Sequence, residues 1–144
     1  MAKARLRSAW AEALAAIPHI RRVRVHSRLP VVIPERVSGS LIAWLSGSRL
    51  QSVVVIHVNH PAELDADTQQ ALVRLKAAGV TLLNQSVILK GVNDNARVLA
   101  ELSERLFECG VLPYYLHAFD PVAGAHHFEV SDDKARDLVR QLIT

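Results

Sequence analysis

Four short stretches gather hydrogen-bonding and titratable side chains in an otherwise aliphatic sequence: His26-Ser27-Arg28, His57-Val58-Asn59-His60, Asn84-Gln85-Ser86, and His117 to Asp120. Imidazoles, amides and a carboxylate can hydrogen-bond a ligand, exchange a proton near neutral pH, or hold a metal. Taken singly, each stretch has an ordinary reading. A histidine at the end of a strand often serves only the local structure. Asn84 and Gln85 can satisfy loop backbone, and Asp120 stands directly before Pro121 and suits a turn. Taken together they are hard to assign to packing, because buried polar groups without partners are costly. A ligand site is the better reading of the set.

Several other chemistries are excluded. His26, His57, His60, His117, His126 and His127 raise the question of zinc, but neither H-E-x-x-H nor H-x-x-E-H occurs, so no metal site is expected. Gly91 and Gly124 stand alone and form no phosphate-cradling loop, and no serine sits in a nucleophile elbow. The single cysteine, Cys109, permits no internal disulfide, Cys-based zinc site or iron–sulfur cluster, and it reads as a buried structural thiol at a helix end. No catalytic residue is expected within this chain.

The elements that must position these residues follow from periodicity. Leu6, Trp10, Leu14 and Ile17 give a helix over 4–17, stopped by Pro18. Residues 21–27 alternate as a strand. Leu29 to Pro34, with two prolines, reads as a loop or extended segment. Ser38 caps a short helix ending near Trp44 to Ser46, and Ser52 to Val58 is a buried parallel strand. A helix over Leu64 to Ala78 has Asp65 and Asp67 at its positive end and Gly79 as C-cap. Then follow a strand over Thr81 to Leu89, a helix capped by Asn93 or Asp94 and ending at Glu108, a strand over Pro113 to Phe119, and a helix opened by Ser131-Asp132-Asp133 and reaching Ile143. This alternation predicts parallel strands joined by right-handed crossovers, forming one domain over 1–144. In such folds ligands bind beyond the C-terminal strand ends, where the four polar stretches fall.

Composition narrows the class. Half of the 144 residues are hydrophobic and the formal net charge is +3, which suits a folded domain and not a nucleic-acid binder. The basic run Lys3 to Arg7 reads as a solvated helix face. No apolar run is long enough to span a bilayer, and the first residues lack a signal-peptide core, so a cytoplasmic setting without membrane contact is expected.

Longer strings carry a resemblance. They are His26-Ser27-Arg28-Leu29-Pro30-Val31-Val32-Ile33-Pro34-Glu35-Arg36-Val37, His57-Val58-Asn59-His60-Pro61-Ala62-Glu63, Leu83-Asn84-Gln85-Ser86-Val87-Ile88-Leu89-Lys90-Gly91-Val92-Asn93-Asp94 and Pro113-Tyr114-Tyr115-Leu116-His117. In order and spacing they resemble the lysine 2,3-aminomutase family of radical S-adenosylmethionine (SAM) enzymes, over roughly residues 14–144. The tail, His117 to Asp120, Ala125 to Phe128 and Val130 to Asp133, is similar to the branch that makes (R)-β-lysine for elongation factor P.

The resemblance implies an incomplete α/β fold: a parallel (αβ)4 part of a radical-SAM partial TIM barrel, matching family strands three to six. It implies SAM, pyridoxal phosphate (PLP) and a [4Fe–4S] cluster as family cofactors. The cluster-binding cysteines and the PLP-anchoring lysine have no counterpart in this chain, so it is expected to be inactive alone, and its first residues read either as an artificial start or as that of a truncated frame. Gln85 matches a glutamine that contacts SAM. Arg28, His57 and Asn59 fall at strand ends facing SAM and PLP, and Asp120 matches the aspartate that binds the lysine ε-ammonium. His117 is a further substrate-side candidate, at a position where some members carry tyrosine. The implied partners are L-lysine and SAM, with β-lysine destined for elongation factor P. Four strands cannot close a barrel, so apolar barrel-facing residues are expected to be exposed and to drive a homodimer or larger oligomer. Two rival readings are a non-catalytic half-barrel that binds itself or a partner, and another barrel enzyme.

Overall fold

A computed structural model describes residues 2–143, with side chains from residue 9 onward. The basic run Lys3 to Arg7 therefore lies outside the described side chains. The chain begins with helix α1 (Ala2–Ala15), strand β1 (Arg22–His26), the one-turn helix α2 (Leu29–Val32) and helix α3 (Gly39–Ser46). Strand β2 (Gln51–Ile56), helix α4 (Ala66–Ala77), strand β3 (Thr81–Val87) and helix α5 (Ala96–Glu108) follow, then strand β4 (Leu112–His117) and helix α6 (Asp132–Ile143). The strands form one parallel sheet in the order β1-β2-β3-β4. This is the parallel (αβ)4 arrangement expected from the alternation.

Each predicted element exists, with local corrections. Leu29–Pro34 is not extended. Pro30 sits in the first turn of α2, where a missing N–H costs nothing, and Val32 and Ile33 donate back to the carbonyls of Arg28 and Leu29. Neither Asn93 nor Asp94 caps α5. Asn95 does, its side chain accepting from Arg97 N, because the two earlier residues are used inside the preceding loop. Ser38 caps α3 as expected, accepting from Leu41 N. Asp65 likewise caps α4 through Thr68 N. The C-cap of α4 is Ala78, and Gly79 follows it in the left-handed region at φ 81°.

The helices cover one face of the sheet. Val54, Ile56 and Leu82 pack there with Leu72 and Leu75 of α4 and Leu102 and Leu106 of α5. Buried Cys109 belongs to the same core, and burial raises its thiol pKa, as suits an inert structural cysteine. On the other face Val53, Val55 and Leu83 form a separate cluster. The sequence predicts that barrel-facing apolar residues are exposed; Val53, Val55 and Leu83 are at most 7% accessible, whereas Tyr114 and Tyr115 on the edge strand are 39% and 51%. Arg24 of β1 lies 5.5 Å from the Tyr114 ring centroid of β4, so the pair spans the concave face above β2 and β3. On the edge strand β4, Leu112, Tyr114 and Tyr115 are exposed, and the two tyrosine rings neighbour Arg24 and His117. Among the described residues no helix is long and apolar enough to cross a membrane.

Candidate functional site

Residues on the concave face recur every second position, and at the C-terminal rim that periodicity brings together His26, His57, Gln85 and His117. His26 is in register with Val55, Gln85 with Tyr115 and Val87 with His117. The His26 and His57 rings meet edge to face at 6.1 Å, and Tyr115 and His117 lie 5.3 Å apart. The Nε2 atoms of His57 and His117 are buried and lack a hydrogen-bond partner. A buried polar atom without a partner suits a ligand-facing position, since packing alone would leave it uncompensated.

His57 lies among basic groups. Burial first, and then His26, Arg28 and His117, hold the His57 imidazole below its ordinary value of 6.5. Its charged form is disfavoured in the folded chain. Above pH 6.5 it is neutral in both states and has no effect on stability. As the pH falls below 6.5 the unfolded chain protonates first, so stability falls. His57→Gln is therefore expected to lose less stability than the parent between pH 7.5 and 5 in denaturant titrations. Equal losses would show that His57 does not carry this linkage.

A second tier of residues shapes the rim. The β2–β3 ladder ends at Ile56 and Asn84, and side chains continue it. Asn84 Oδ1 accepts from Val58 N at 2.9 Å, its Nδ2 donates to Val58 O at 3.0 Å, and Ser86 Oγ donates to Val58 O at 2.7 Å. Asn59 Oδ1 accepts from Val87 N at 2.9 Å. Fully buried Asn93 accepts from Leu89 N and donates to the carbonyls of Asn59 and Val87. Glu63 closes the turn after β2: its Oε1 accepts from Asn59 N at 2.8 Å and His60 N at 3.1 Å, and its Oε2 accepts from Arg28 at 2.8 Å.

The sequence-predicted residues thus divide. His57 and His117 present unpartnered nitrogens at the rim, and half-buried Gln85 makes no side-chain hydrogen bond to a described residue. Arg28 stands at the rim, half-exposed and paired with Glu63. Asn59 is partly committed to backbone, which leaves its Nδ2 for other contacts. Asn84 is committed to the Val58 backbone and to the Ser86 hydroxyl. Asp120 lies exposed in the loop after β4, with no hydrogen-bond partner among the described residues. Glu63 has no role in the sequence reading, and buried Asn93 has only that of a helix cap. The capping-box spacing His60 to Glu63 was the available signal for the first. Among the described residues no group of three His, Cys, Asp or Glu is arranged to hold a metal ion.

Fold and rim together define a segment of a parallel α/β barrel with two unpartnered imidazole nitrogens at the C-terminal strand ends. Over 131 residues, 91% of this chain, it is 56% identical to the L-lysine 2,3-aminomutase of Escherichia coli (strain K12), covering 38% of that protein. The Haemophilus influenzae L-lysine 2,3-aminomutase is 52% identical over 126 residues, which are 88% of this chain and 37% of the relative. That of Clostridium subterminale is 38% identical over 130 residues, 90% of this chain and 31% of the relative. No family profile matches the chain. It spans little more than a third of the length of the first two relatives. The chain belongs to the lysine 2,3-aminomutase family.

Proposed function

We propose that these residues form the C-terminal-side part of the cofactor and substrate face of a radical SAM L-lysine 2,3-aminomutase. The observation that carries this reading is the pair of buried, unpartnered imidazole nitrogens of His57 and His117 at the C-terminal rim, in a chain 56% identical to such an enzyme. The residues fit the family's anionic groups. Arg28 offers a permanent cation to a carboxylate or phosphate, His57 is kept neutral and able to share one proton, and Gln85 offers an amide to SAM. Asp120 supplies the carboxylate for the lysine ε-ammonium, and His117 borders the same space. When bound, SAM and PLP supply the radical and amino-group chemistry, and these residues orient and desolvate. The cluster does not fit these residues, since the chain has one cysteine. On this reading the 144 residues are inactive by themselves.

The finer assignment, (R)-β-lysine made in the cytoplasm for elongation factor P, rests on the resemblance of the stretch from His117 to Asp133. The reading is tested by titrating SAM and PLP into the isotopically labelled chain. Chemical-shift changes are expected at His26 to Arg28, His57 to Asn59, Gln85 and His117. Changes confined to other surfaces would reject it.

A second reading is favoured by the open edges of the sheet and by exposed Leu112 and Tyr115 on β4, which are 48% and 51% accessible. These features support self-association through the β4 side. Pairing through the concave faces would oppose Arg24 and Arg28 of both copies. A concentration-dependent mass above one chain is expected in light scattering, and a constant single-chain mass would remove this reading.

A further inference from the structure

We infer that Glu63 is a positioning residue, fixing the Arg28 guanidinium beside His57 so that an oxyanion, carboxylate or phosphate, is met at one place on the rim. This rests on the reading of the strand ends as a ligand face. The two carboxylate oxygens have separate tasks. Oε1 accepts the backbone N–H groups of Asn59 and His60, which fixes the turn following His57. Oε2 accepts from Arg28, which reaches over from the end of β1, 35 positions earlier in the chain. One side chain thus ties two neighbouring strand ends together and sets the guanidinium relative to the imidazole.

The pair is not chiefly a stabilising device. The side chain of Arg28 is 51% accessible, and exposed ion pairs contribute little to stability. What the contact does is select one arrangement of a long, rotatable side chain. A guanidinium carries five N–H donors. Glu63 accepts from only one of its nitrogens, Nη2, so other donors remain for a ligand in a planar, pre-set fork. The neighbouring charges point the same way. His26 and His117 also act on His57, so the groups facing this corner are cationic or neutral apart from Glu63.

Glu63→Gln separates the two tasks, because an amide oxygen can still accept from Asn59 and His60 while the charge that holds Arg28 is gone. In the chain itself, NMR of the Arg28 Nε–H is expected to show an ordered side chain that becomes as mobile as an unpaired surface arginine in Glu63→Gln. The Asn59 and His60 amides keep their exchange protection. Unchanged Arg28 order, or loss of protection at those amides together with it, overturns the inference. A double cycle with Arg28→Ala adds a binding readout, using PLP for the phosphate and SAM for the carboxylate. Glu63→Gln is expected to weaken one of them roughly tenfold, the scale of one charge-assisted contact, and to add nothing once Arg28 is alanine. Equal weakening in both backgrounds overturns the positioning role. If Arg28→Ala leaves both affinities unchanged, or the parent binds neither probe, the ligand-face reading fails, while the Arg28 order still decides what Glu63 does.

Discussion

Asn93→Ala is expected to destabilise the chain by about 3–5 kcal/mol, because several buried groups lose their partners at once. Asn93 is fully buried. Its Oδ1 accepts from Leu89 N at 2.7 Å, and its Nδ2 donates to Asn59 O at 2.8 Å and Val87 O at 2.9 Å. Alanine leaves one N–H and two carbonyls without these partners. Asn93→Asp is a sharper test. It keeps the acceptor for Leu89 but turns a charged oxygen toward two carbonyl oxygens. The introduced carboxyl is then driven to stay protonated in the folded chain, so this variant regains stability as the pH falls, opposite to the parent's His57 effect. Urea titrations at pH 7.5 and 5 measure both. A loss below 1 kcal/mol for Asn93→Ala would show that the loop after β3 does not depend on this clamp. The consequence reaches the rim, because Asn93 holds Asn59 and Val87 in place.

Asp120→Asn carries the second large effect, read in a complete enzyme. The 131 residues matched to the Escherichia coli relative can replace the corresponding stretch of that protein, giving a chimera with the rest of the relative's length. In it, Asp120→Asn is expected to weaken lysine binding roughly 10- to 150-fold, the equivalent of about 1.5–3 kcal/mol for a hydrogen bond to a charged group. Reductive cleavage of SAM should be nearly unchanged, since Asp120 lies past the end of β4, beyond the rim residues His26, His57 and Gln85. Equal lysine affinity in both chimeras would remove Asp120 from the substrate site.

Periodicity and caps made the fold legible. Val53 to Ile56 reads as a covered parallel strand because it is covered on both faces, and Ser38 and Asp65 read as caps because they act as caps. Leu29–Pro34 misled because Pro30 is compatible with a first helical turn, a context that local sequence does not reveal. Asn93 misled for a related reason. An asparagine just before a helical pattern resembles a cap, whereas its amide is taken by three backbone groups from two other segments. The strand-end histidines were legible as a set. What no local pattern shows is the division between residues with an unpartnered polar atom at the rim, such as His57, and residues holding backbone, such as Asn84. Alternation puts Asn84 on the helix side and Gln85 on the concave side, but the surrogate ladder to Val58 forms only when β2 and β3 are adjacent. The Arg24–Tyr114 contact was equally hidden, since it joins the two edges of the sheet.

The most direct measurement is β-lysine formation by that chimera, loaded with its cluster and supplied with SAM, PLP, reductant and L-lysine. The account predicts that β-lysine appears with the chimera and does not appear with the isolated 144-residue chain under the same conditions. A chimera that is folded and cluster-loaded yet forms no β-lysine, or an isolated chain that forms it, would contradict the account.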